Sequence, residues 1–166
     1  MKDSNKKKLE ELLSKHDKVQ REVKEAIEKQ QIIKKTFLDD FEEFANSQIK
    51  PIMTEIGEVI KKNGHDYKIT FDKDYKNDKG NIIDSRITMD IFPNGKGRGD
   101  HYNPPAHILF YADNFGEKIG MHENNIVPHG GGGSAGRKNG QYTLQNLTSE
   151  IIEMEIIDSI GNILKM

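Results

Sequence analysis

Between Met1 and Lys50 the chain contains neither glycine nor proline, and beyond Asn63-Gly64 its texture changes abruptly. The first stretch is charge-dense and carries a heptad beat. The remainder of the chain has the pattern of short alternating strands, Gly-rich basic loops and one last helix. A run this long without the two strongest breakers of regular structure predicts a single long helix. Along it, Leu9, Leu12, Val19, Val23, Ala26, Ile33 and Phe37 recur at spacings of three and four, with the polar His16 and Gln30 on the same seam. A 3.5-residue period keeps such a seam facing a partner helix, so the arm is coiled-coil-like, and polar seam positions in coiled coils fix register. A helix over about residues 4–48 spans roughly 65 Å at 1.5 Å per residue. That exceeds the diameter of the remaining domain, so part of the arm must meet another chain or stay solvated.

From Phe37 onward the stripe broadens through Leu38, Phe41 and Phe44, a face suited to packing on a globular body. Lys50-Pro51 is expected to interrupt the helix, because proline disfavours helical geometry in the residue before it. Ile52, Ile56, Val59 and Ile60 form a second amphipathic segment, which Asn63-Gly64 should cap. The expected domains are a helical arm, 1–48, and an α+β body, 49–166.

In the body, Tyr67, Ile69 and Phe71 alternate with polar residues, as do Ile87, Met89 and Ile91. Two more strands are expected at Ala106 to Ala112 and Glu117 to Glu123, and a short one at Tyr142 to Leu144. Thr148 or Ser149 should cap a final helix carrying Ile152, Ile156, Ile160 and Ile163 or Leu164. Short connections favour an antiparallel meander of four to five strands, covered on one face by helices. The fold class is therefore α+β.

The hairpin around Asp113-Asn-Phe-Gly116 permits a register. A two-residue turn, or a four-residue one over Asp113 to Gly116, pairs Ala112 with Glu117, Phe110 with Ile119, Ile108 with Met121, and His107 with His122. The apolar set then turns inward. His107, Leu109, Tyr111, Lys118 and His122 turn outward, beside Lys68, Thr70, Arg86, Thr88 and Asp90. That polar, aromatic-dotted surface is a candidate contact face.

Two Gly-rich basic loops carry the other candidate binding residues, Lys96 and Arg98 in the first, His129, Ser134, Arg137 and Lys138 in the second. Backbone N–H groups in such loops can form an anion nest, with the cations supplying charge. Gly132-Gly-Ser134-Ala-Gly136 spells a serine-hydrolase elbow, but the elbow needs a strand before it and a helix after it, and Arg137-Lys-Asn-Gly140, expected to be more loop, follows. Gly131 to Gly136 is followed by Arg137-Lys138, so the Walker pattern fails too. The histidines show no metal-ligand spacing. No metal, cofactor or catalytic residue is assigned.

A formal charge of −2 gives no bulk attraction to nucleic acid or to an anionic membrane. The absence of cysteine fits a reducing compartment, the Lys-rich start is no signal peptide, and no apolar run spans a bilayer. The abundance of Lys, Ile and Asn fits an AT-rich bacterial genome. Together these features lead to the expectation of a cytoplasmic, non-enzymatic binding module of a bacterial multi-protein complex. Its arm would mediate homo-oligomerisation or docking on a protein partner, and its body would recognise a partner. The alternative is a nucleotide- or nucleic-acid-binding protein that contacts phosphates through the two loops, and the third reading is a small metal- or His-dependent enzyme.

Overall fold

The computed structural model describes residues 3–73, 75–76, 82–93, 105–113, 117–124 and 136–164. Two compact units divide the chain, Met1–Phe37 and Leu38–Met166. Helix α1 runs over Asp3–Phe44, a π-helical turn over Ala45–Ile49, and α2 over Lys50–Lys62. The break expected at Lys50-Pro51 does not occur. Phe44, Ile49 and Lys50 all keep right-handed helical dihedrals, and Pro51 lies in the first turn of α2. Proline lacks the N–H of a normal helical turn and crowds the carbonyl four residues back. The wider π turn just before it, in which the Lys50 N–H bonds the Ala45 carbonyl, accommodates it without ending the helix. Helix α2 does end at Asn63-Gly64. Gly64 adopts φ +87°, its N–H bonds the Lys61 carbonyl, and the His65 N–H reaches back to Ile60.

The α+β expectation is met. Five antiparallel strands form a sheet in the order β1-β4-β5-β6-β7, with β1 at Asp66–Asp72, β4 at Arg86–Phe92, β5 at Ala106–Asp113, β6 at Lys118–Asn124 and β7 at Gly136–Tyr142. Between the first two lies a separate ladder of β2, Tyr75–Lys76, and β3, Ile82–Ile83. Helix α3, Ser149–Leu164, closes the body, and the Thr148 hydroxyl accepts the Ile151 N–H at its start.

Burial alternates strictly along β4 and β5. Ile87, Met89, Ile91, Ile108, Phe110, Ile119 and Met121 are fully buried on one face of the sheet, as are Phe41, Ile49, Met53, Ile152 and Ile156 from the helical elements. Helix α2 packs on β1 and on α3, and α3 packs on β5. Gly57 lets α2 approach the sheet closely: a Cβ there would run into the Tyr67 ring.

The register of the β5–β6 hairpin corrects the expected one. Ala112 pairs with Ile119, Phe110 with Met121, Ile108 with Glu123, and His107 with Asn124. Asp113 pairs with Lys118, so the residues between the strands are 114–117 and not 113–116, and Glu117 is left-handed at φ +49°. Moving an even turn by one residue slides the register by two, so each residue keeps its face while every partner changes. The last strand also differs from the expected one. It occupies Gly136–Tyr142, not Tyr142 to Leu144, and Arg137-Lys-Asn-Gly140 is strand where loop was expected. A bulge opposite Gly120 and Met121 admits the extra residue, Gly140. Thr143 to Asn146 form the turn, closed by mutual hydrogen bonds between the side chain of each and the N–H of the other.

Candidate functional site

The face of the sheet opposite the buried set is built from three cross-strand rows. Lys68, Asp90, His107 and Asn124 form the first, and Thr70, Thr88, Leu109 and His122 the second. Asp72, Arg86, Tyr111 and Gly120 form the third. Apart from exposed Lys68 and buried Gly120, these residues are half-buried. Arg86 Nε donates to Asp72 Oδ2 at 3.1 Å. The Tyr111 ring lies across Gly120, where any Cβ would collide with it.

His107 and His122 do not face each other directly but meet diagonally, with ring centroids 6.2 Å apart and planes 29° from parallel. Burial lowers His107 below its ordinary value of 6.5, while its bond to the Pro105 backbone and the charge of Asp90 pull the other way. Burial likewise raises the Asp90 carboxyl above 3.8, against the attraction of His107, Lys68 and Arg86. Beside this pair, His122 Nδ1 and Asn124 Oδ1 are buried without hydrogen-bond partners. The cluster therefore holds an imidazole whose charged form burial disfavours, next to two polar atoms without a hydrogen-bond partner. Among the described residues, no group of three or more His, Asp or Glu is placed to hold a metal ion.

Of the residues singled out from the sequence, His107, Tyr111 and His122 share this face. Lys96, Arg98, His129 and Ser134 lie outside the described residues. Arg137 and Lys138 are on β7, in register with Glu123 and His122. Asn124 was missed, because the expected register ended the strand one residue before it.

The arm supplies a second candidate surface. On α1, Leu9, Leu12, Val19, Val23 and Ile33 are all exposed, with Leu12 at 57% and Val19 at 54%, whereas Phe37 is buried. Leu13 and Ile27, exposed as well, sit one position past the counted seam and widen it. Counting only the narrow coiled-coil positions overlooked them. No helix of the described residues is long and apolar enough to cross a membrane. Comparison of the chain with models of known families, with curated proteins and with solved structures finds no match.

Proposed function

We propose that this chain is a non-enzymatic binding and assembly module, in which the seam of α1 drives self-association and the α+β body presents the open sheet face to a partner. The observation that carries this reading is the exposed apolar stripe from Leu9 to Ile33. Its residues are about half exposed along more than three heptads, a length of apolar surface that water-soluble monomers rarely leave uncovered. Light scattering across a concentration series tests it. The mass should exceed the 18.9 kDa of a single chain and fall on dilution. Replacing Leu12, Val19 and Val23 by Ser should abolish association while leaving the melting of the body intact. A wild-type mass of one chain at every concentration sinks the reading.

A nucleotide- or nucleic-acid-binding role is the second reading, supported by the imidazoles and Tyr111 beside Lys68 and Arg86 on one sheet face. Aromatic side chains on open sheets stack on bases, and phosphate contacts make affinity fall steeply with salt. Binding of a labelled single-stranded oligonucleotide, lost on raising salt and on His107→Ala with His122→Ala, is the expected signature. No binding at low salt removes this reading.

A further inference from the structure

Four glycines have described surroundings, and three have a reason to be glycine within the chain. Gly64 requires its positive φ, and Gly57 and Gly120 lie against the Tyr67 and Tyr111 rings. Gly161 has none. It sits in the last turn of α3, and nothing lies within 4 Å of the position its Cβ would take. Glycine is a poor helix former and its missing side chain lets another backbone come close, so one that neither a positive φ nor a neighbour within the chain requires points to an approach from outside.

Its neighbours along the helix point the same way. Met154, Ile157, Gly161 and Leu164 follow one another at spacings of three and four, and Met154 and Ile157 are each more than half exposed. Helix α3 therefore has two apolar faces. Ile152, Ile156 and Ile163 are buried, while the second stripe is uncovered.

Charge selects the occupant. Exposed Glu153 and Asp158 flank the α3 stripe, and Ser149–Leu164 contains four acidic residues and no basic one. The seam of α1 is bordered by Lys8, Lys15, Lys29 and Lys34, with Glu22 as the acidic exception. Pairing two α1 seams in parallel sets Lys29 against Lys34 of the second helix, and pairing two α3 stripes sets carboxylate against carboxylate. Seam against stripe instead brings Lys29 and Lys34, which stand on opposite borders of the seam, to Glu153 and Asp158, which stand on opposite borders of the stripe at the same five-residue spacing.

We propose that, in the self-association inferred above, the α1 seam of one copy docks on the Met154–Leu164 stripe of a second copy, with the close approach at Gly161. In a two-fold pair the exchange is reciprocal.

The test uses charge reversal in the full chain. A Glu153→Lys, Asp158→Lys variant should lose at least about tenfold in self-affinity, and so should a Lys29→Glu, Lys34→Glu variant. An equimolar mixture of the two should recover association as a heterodimer, because both of its interfaces then match in charge. Gly161→Leu, pointing into open space, should weaken association to a similar degree without lowering the melting temperature of the dilute chain. Wild-type self-affinity in the α3 variant overturns the α3 site and leaves assembly through the arm standing. A wild-type chain that is monomeric throughout overturns both.

Discussion

The imidazole of His107 stacks diagonally on that of His122, two residues out of direct register, with Asp90 opposite His107 on the neighbouring strand. The two cross-strand neighbours are displaced toward neutrality, one downward and one upward. For His107 the folded value lies below the unfolded one. As pH falls from 6.5 the unfolded chain takes up its proton first, and stability drops until the folded-state value is passed. A proton NMR titration should place the His107 midpoint below 6.5, and His107→Gln should flatten the fall in melting temperature over that window. A midpoint at or above the ordinary value contradicts the buried placement of this ring.

Asp90 has the opposite sign. Its folded-state value lies above 3.8, so the folded chain takes up the proton first and stability rises as pH falls through that window. Asp90→Asn should therefore be tolerated at neutral pH and should remove this acid-side gain. Urea midpoints measured on both sides of the carboxylate range check it. A large loss of stability at neutral pH would mean that the charged carboxylate is needed.

Two glycine-to-alanine substitutions should act in opposite directions. At Gly57 the added methyl meets the Tyr67 ring, which also bonds Glu58 through its hydroxyl at 2.7 Å, so overpacking should cost about 1–3 kcal/mol. At Gly161 the methyl enters open space and removes backbone entropy from the unfolded chain. The dilute protein should gain about 0.5–1 kcal/mol. Urea midpoints of the two variants, measured below the association range, separate the cases. Destabilisation by Gly161→Ala would reveal a packing role within the chain.

Alkaline unfolding should report on Tyr142. Its hydroxyl donates to Glu155, and burial together with that carboxylate lifts the phenol from 10.0 to about 12. Stability from this group is complete below 10.0 and is lost as pH rises through the folded-state value. Tyr142→Phe should remove that dependence and a late step in tyrosinate absorbance. An unchanged absorbance titration would show that Tyr142 ionises like a solvated tyrosine.

The range of each interaction decided whether it could be read from sequence. Alternation at Ile87, Met89 and Ile91 and the three-four spacing of Leu9 to Ile33 are local patterns, and both elements form where they indicate. The face carrying His107, Tyr111 and His122 was legible for the same reason, since parity survives a two-residue slip. Their partners were not, because two even-length turns one residue apart are equally compatible with the apolar pattern. Strand β7 has almost no apolar content to announce it, and its extended backbone comes from pairing with β6. The role of Pro51 depended on a π turn upstream, and that of Asn124 on the corrected register. Neither is written in residues adjacent in sequence.

The buried carboxylate of Glu123 offers the sharpest test of the body's interior. It is on the helix-facing side of β6 at 3% exposure, and both of its oxygens accept from Asn162 Nδ2 of α3, at 3.2 and 3.3 Å. A carboxylate taken out of water depends on its donors, and losing one leaves a desolvation penalty that outweighs the bond itself. Asn162→Ala should therefore destabilise the body by about 1–3 kcal/mol, whereas Glu123→Gln, which removes the charge but keeps the shape, should cost less. In the double variant the two losses should not add, because Asn162→Ala has already removed the donor from which residue 123 accepts. Urea denaturation of the four chains in the cycle measures the coupling. Strict additivity would show that Glu123 and Asn162 are neighbours without interaction, and that the charge of Glu123 is satisfied elsewhere.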